Sequence, residues 1–238
     1  MNDDTIQQFK DHAIAEFPRE CCGLVAVVRG KERYLPCRNV ADVPTKRFVI
    51  HQDDYAKAEE LGEIIAVAHS HCNGSNRPSD ADKTLCEATG VQWHIVSVSA
   101  GDCSDICTFE PCGYEAPLVG RNFAHGILDC YTLIKDYYLR EQGIELPEFE
   151  REDEWWNKGQ TLYTDNFAAA GFSKIAGQMQ VGDIILMQIR APTPNHAAVY
   201  IGDGLILHHL ANRMSSRDVY DGYFQEVSVM VLRHKERQ

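Results

Sequence analysis

Residues 68–82 read AHSHCNGSNRPSDAD, and their spacing decides the fold and chemistry of the first half of the chain. His69 and His71 stand two apart at the end of the apolar run IIAVAHSH. Alternate side chains of a strand share a face, so both imidazoles point the same way. By spacing, Asp82 is the third donor. Two imidazoles and a carboxylate around a divalent ion, with a fourth position left for water, are the ligand set of a catalytic zinc site. That set keeps net positive charge, which lowers the pKa of bound water toward neutrality. A general base must then pass the proton to the leaving amine. Glu20, in PRECCGLV, is the candidate, because the apolar strand that follows it could run beside the histidine strand. Ser79 is a candidate donor to the developing oxyanion. Ser79 and Asp82 also have the spacing of a helix start, a serine N-cap with an acid three residues on.

Working outward, residues 1–17 read as an amphipathic helix with Ile6, Phe9, Ile14 and Phe17 on one side, ended by Pro18. Strands are expected at 23–28, 33–40, 47–51, 64–71 and 93–99, with a helix at 53–63. These elements predict a mixed α/β domain over residues 1–112. Around 110–119 the text loses periodicity and gains proline and glycine, which places a boundary near Gly113. The second domain, 113–238, reads as a helix over 128–141, an acidic surface stretch, and strands at 183–189, 196–202, 204–210 and 226–233. A helix followed by a sheet with tight turns is an α+β arrangement, and α+β is the class expected for the whole chain.

The formal net charge is -12 and no Lys/Arg cluster occurs, which argues against nucleic acid or an anionic membrane as partner. No apolar run approaches the roughly 18 residues of a membrane span. The opening MNDDTIQQFK lacks the apolar core of a secretory signal, so synthesis and folding in a cytosol are expected. Nine cysteines, an odd number, point to reduced thiols rather than a disulfide framework. Cys103, Cys107 and Cys112 lack the C-x2-C knuckle of a second metal cluster.

Cys130 alone follows residue 112, and it opens a helix whose dipole favours the thiolate. A cysteine nucleophile needs an imidazole within reach and a third group to orient that ring. HAAVYIGDGLILHH supplies both: His196 begins one strand, Gly202–Gly204 turns the chain, and His208 lies on the returning strand. His209 points to the opposite face.

The pattern H-S-H, seven residues, S, two residues, D, with P-x-E-x-C-G-L upstream, resembles the JAMM (MPN) metalloprotease family over residues 1–112. The resemblance implies zinc held by His69, His71 and Asp82, Glu20 as general base, and Ser79 as the oxyanion-stabilising serine. A zinc deaminase would need H-x-E and P-C-x-x-C, and neither occurs. Residues 113–238 resemble the NlpC/P60 cysteine peptidases, which implies a papain-like fold with Cys130 as nucleophile, His196 as base and His208 as orienting residue. The chain departs from that family's D-C-S-G with Asp129-Cys130-Tyr131-Thr132, and places Phe123 where a tyrosine is usual; His125 is a candidate substitute. A JAMM unit followed directly by an NlpC/P60 unit resembles the two-domain tail-assembly proteins of lambda-like phages and prophages. This implies phage tail-tip proteins as partners, one with a ubiquitin-like domain as substrate of the metal site. It also implies peptidoglycan stem peptides as substrate of the cysteine site, and work in the host cytoplasm and at the virion tail tip. Two other readings stay open: a structural tail-tip component with relict sites, and a cellular JAMM peptidase acting on a ubiquitin-like protein, which accounts for residues 1–112 alone.

Overall fold

In the computed structural model, which describes residues 1–237, α1 (Asp3–Glu16) starts at Asn2, whose side chain accepts the Thr5 backbone N–H. Its buried face runs through Thr5, Phe9 and Ala13 at four-residue spacing, whereas Ile14, expected on that face, is 40% exposed. Next come β1 (Cys22–Val28) and β2 (Lys31–Cys37), an antiparallel pair turned at Arg29 and Gly30, both at positive φ. α2 (Gln52–Leu61) leads into β3 (Glu63–Cys72), the strand carrying both histidines. α3 (Asp80–Thr89) then crosses over to β4 (Gln92–Ser99), which lies parallel to β3. Two short strands, β5 (Asp102–Cys103) and β6 (Cys107–Phe109), both pair with β4, and the sheet runs β2-β1-β3-β4-β5.

The strand expected at 47–51 does not form; only an isolated bridge joins Asn39 to Ile50. Two backbone bonds flank that bridge, from the Val40 N–H to the Val49 carbonyl and from the His51 N–H to the Arg38 carbonyl, and the Asn39 side chain takes two more groups of the segment. Asn39 Oδ1 accepts from the Val49 N–H and Asn39 Nδ2 donates to the Arg47 carbonyl.

Alternation along the strands sorts this sheet into two faces. Val25, Ala66, Ala68, Val96 and Val98 pack with Phe9 and Ala13 of α1. Leu24, Val67 and Trp93 pack on the other side with Ala58 of α2 and Cys86 of α3. His69 and His71 alternate in step with Val67, so they belong to the face that α3 covers.

The chain separates into two compact units between Glu115 and Ala116. In the second, α4 (Cys130–Tyr137) continues as a π-type turn over Tyr138–Gln142 that Gly143 closes at φ 67. After α5 (Leu162–Asn166) come β7 (Phe172–Ile175), β8 (Ile184–Met187), β9 (His196–Gly202), β10 (Leu205–His208), β11 (Ser216–Val219), α6 (Gly222–Glu226) and β12 (Ser228–His234). They form an antiparallel sheet in the order β11-β10-β9-β8-β12-β7. The expected strand at 226–233 starts later, because Glu226 ends α6 and Val227 caps it. Gly202, Asp203 and Gly204 all have positive φ, which lets β9 fold back on β10. Leu133, Ile134 and Tyr137 of α4 pack on the sheet face built by Leu186, Val199 and Leu207. The chain is α+β, a mixed α/β unit followed by a helix packed on an antiparallel sheet. Among the described residues no helix is long and apolar enough to cross a membrane.

Two candidate active sites

β3 and α3 bring His69, His71 and Asp82 together. The two Nε2 atoms are 3.2 Å apart; Asp82 Oδ1 is 3.3 Å from His69 Nε2, and Oδ2 is 3.3 Å from His71 Nε2. Ligands of a tetrahedral zinc with bonds of about 2.0–2.1 Å stand about 3.3 Å apart, which matches these separations. The donor chemistry points the same way. His71 Nδ1 lies 2.7 Å from the Ser75 carbonyl and donates its proton there, so in the neutral ring the Nε2 lone pair faces the Asp82 carboxylate. Two acceptors face to face need a proton or a cation between them. Burial lowers the His71 pKa, but the Asp82 carboxylate and the Ser75 carbonyl outweigh it and hold the ring above its ordinary value. Burial would raise the Asp82 carboxyl, yet both histidines hold it far below the carboxylate range. Among the described residues this is the group whose ligand atoms converge; Cys103, Cys107 and Cys112 do not, and all nine cysteines are free thiols.

Glu20 comes to this cluster through the pairing of β1 with β3. Cys22 sits opposite His69, the Ser70 N–H donates to the Cys21 carbonyl, and the Cys21 N–H donates to Ser70 Oγ. Burial pushes the Glu20 carboxyl up to about 7, with His71 opposing and the charge on Asp82 adding. Its backbone is pinned as well: the Glu20 N–H donates to the Pro44 carbonyl at 2.7 Å, and Asn39 Nδ2 donates to the Glu20 carbonyl at 2.9 Å. Asn39 was in no motif, since its role appears only when the 39–50 loop folds around it. The same loop lays Phe48 over His69, with ring centroids 4.5 Å apart.

Ser79 is the N-cap of α3 in a full capping box with Asp82. Its hydroxyl donates to Asp82 Oδ2 at 2.7 Å and accepts the Asp82 N–H at 3.1 Å. The hydroxyl proton is therefore directed at a carboxylate of the cluster and not at open space.

In the second unit Cys130 and His196 are the first residues of α4 and β9. The backbone N–H of Ala197 bears on the Cys130 sulfur, and the charge of Asp129 acts on both Cys130 and His196. The dipole was expected to lower the thiol pKa, but burial, and then the Asp129 charge, push it up to about 11. Asp129 is itself the α4 N-cap, accepting from the Tyr131 and Thr132 N–H groups and from Arg151 Nε.

His196 Nε2 lies 3.1 Å from His208 Nδ1, and His208 Nε2 lies 2.8 Å from Asp218 Oδ2. His209 points away, its ring set edge to face against Phe123 at 5.2 Å. Asp218 was missed by sequence reading. It lies on β11 diagonally across from His208, whose direct partner is Ser216, and β11 is a short polar edge strand with no periodic signal. Burial lowers the pKa of both histidines, His196 to about 3, and both rings are neutral at pH 7. The ionised Asp218 can only accept, so His208 carries its proton on Nε2 and accepts on Nδ1. His196 then donates from Nε2 and keeps a lone pair on Nδ1. His125 is engaged elsewhere: its Nε2 is 3.0 Å from each of the Arg151 and Glu152 carbonyls.

Comparison with known proteins gives 40% identity over 238 residues to the tail tip assembly protein K of Escherichia phage N15, covering 99% of this chain and 96% of that protein. The chain belongs to the tail tip assembly protein K family. The protein K of Escherichia phage lambda is 39% identical over 184 residues, 77% of this chain and 88% of that protein. Residues 2–107 match the family model for prokaryotic homologs of the JAB domain, and residues 120–233 match the NlpC/P60 family. Among solved structures, a Staphylococcus aureus protein described as similar to lipoprotein, NLP/P60 family, aligns at 20% identity and TM-score 0.36, covering 49% of this chain and 37% of that one.

Proposed function

We propose that this protein works in phage tail-tip assembly with two peptidase sites, a zinc-dependent amide hydrolase in the first unit and a cysteine peptidase in the second. The first reading is carried by the convergence of His69, His71 and Asp82 at zinc-ligand separations. Zinc held there would supply Lewis acidity to the scissile carbonyl and acidify a water. Glu20, with its pKa near 7, takes the proton of the attacking water and delivers it to the leaving amine. Ser79 orients Asp82, and it serves an oxyanion only by releasing that carboxylate. The substrate suggested by the family context is a tail-tip protein, with a ubiquitin-like domain as the natural target.

The second reading is carried by the Asp218–His208–His196 relay, which leaves His196 Nδ1 as the nitrogen with a free lone pair. Cys130 gives its proton to that nitrogen, the sulfur attacks the peptide carbonyl, and the imidazolium then protonates the leaving amine. Peptidoglycan stem peptides, at the bond from D-γ-glutamyl to a diamino acid, are the proposed substrate. The protein would act in the host cytoplasm during assembly and at the virion tail tip during infection. A structural role with a relict cysteine site is the second reading, favoured by the burial that pushes the Cys130 thiol up to about 11.

Metal analysis of the purified chain tests the first site. About one zinc per chain is expected, lost in His69→Ala/His71→Ala; a full zinc load in that double variant would overturn the ligand assignment.

A further inference from the structure

Tyr163 belongs to no motif legible in the sequence, yet its hydroxyl oxygen lies 3.1 Å from Cys130 Sγ. It sits on α5, a helix of five residues, and its ring is fixed by aromatic neighbours. Trp155 meets it edge to face at 5.9 Å and Tyr131 does the same at 6.5 Å. With Phe167, Leu186 and the stem of Arg151, the ring lines an apolar cavity of about 50 Å³. The side chain thus delivers one polar atom, and delivers it to the sulfur. Phe123, which stands where the NlpC/P60 pattern has a tyrosine, offers no hydroxyl, and His125 is spent on backbone carbonyls.

We propose that Tyr163 is a catalytic residue of the cysteine site, donating its O–H to the Cys130 sulfur once the thiol proton has moved to His196. The inference rests on the reading of Cys130 as nucleophile. The step balances within the site: the Sγ–H bond breaks, the proton goes to His196 Nδ1, and the electron pair stays on sulfur. While the thiol is intact, either atom of the Cys130–Tyr163 pair can donate. Once the thiolate forms only the phenol can, and the bond becomes charge-assisted, about twice as strong as a neutral one. Because the contact strengthens as the nucleophile ionises, it favours the reactive state over the resting one.

The other groups bearing on the sulfur are the Asp129 carboxylate, which opposes ionisation, Arg151, which favours it, and the Ala197 N–H, which also favours it. Arg151 is committed to Asp129 at 3.0 Å, so its effect is partly spent on that neighbour. Direct donation to the thiolate falls to Tyr163, whose hydroxyl lies within hydrogen-bond reach of the sulfur. The phenol is suited to this because burial, and the charge of Cys130 after it, hold its pKa well above the ordinary value. It keeps its proton throughout the working range.

Iodoacetamide labelling of the full-length chain tests this, with Cys130 followed by peptide mass spectrometry from pH 6 to 10 and the exposed Cys112 as internal reference. Tyr163→Phe removes one oxygen and keeps the ring in its apolar setting. Because the thiol sits at about 11, the thiolate fraction is small across this range, and Tyr163→Phe is expected to slow Cys130 labelling about tenfold at every pH within it, the scale of one charge-assisted hydrogen bond. Cys112 should label at an unchanged rate. A Tyr163→Phe profile that superimposes on the parent, while His196→Ala labels slowly, would overturn the role of Tyr163 alone. Labelling of Cys130 that ignores His196→Ala as well would overturn the nucleophile reading, and this inference with it.

Discussion

Asp218 accepts from His208 Nε2 and so fixes which nitrogens of two histidines carry protons, an ordering that depends on both rings staying neutral. Burial, then repulsion from His208 and His209 once those rings are protonated at low pH, push His196 down to about 3. In the unfolded chain the same ring titrates near its ordinary value of about 6.5. Between those two values the unfolded state binds a proton that the native state does not. Stability is therefore fully present above about pH 6.5 and is lost as pH falls toward 3, at up to about 1.4 kcal/mol per pH unit for one such histidine. Urea unfolding at pH 7.5 and pH 5 should show a lower midpoint at pH 5, and His196→Asn, which cannot titrate, should shrink that difference. An equal pH difference in the variant would mean that His196 is not a buried neutral imidazole. His69 and His71 were legible residue by residue because a two-residue spacing on one strand needs no tertiary information. Tyr163 and Asp218 were not, because each reaches its partner from a short element that gains its place only through packing.

Helix α3 does two things with one turn. Its capping box satisfies the backbone at the helix start, and the same Asp82 carboxylate faces both His69 and His71. The sequence offered these as competing explanations, cap against ligand, and the structure shows them to be compatible, since a carboxylate has two oxygens and several lone pairs. Ser79→Ala should cost about 1 kcal/mol of stability, the usual value of a lost N-cap, and should also weaken zinc binding by freeing Asp82 to rotate. Ser79→Asn, which restores the cap, should recover the stability. Zinc affinity unchanged in Ser79→Ala would separate the cap from the site. Legibility at this scale followed burial. β1, β3, β4 and β9 are mostly buried and stood out as apolar runs, whereas β5, β7 and β11 are short, partly exposed and polar. Residues 47–51 looked like a strand and pair with 38–40 through one bridge, but the Asn39 side chain takes the Val49 N–H and the Arg47 carbonyl, a competition that hydropathy does not register.

At the scale of the whole molecule, each unit buries its own core and carries its own chemistry-bearing side chains. The two sites share no residue, so each should be removable by substitution without dismantling the other. The most direct measurement is complementation of a phage lacking this gene by the parent chain, Glu20→Gln and Cys130→Ser, with assembled tails and infectivity counted separately. Glu20→Gln should reduce the yield of assembled tails, and Cys130→Ser should leave tails intact while lowering infectivity. Full complementation by both variants would contradict two working peptidase sites and leave a structural role in their place.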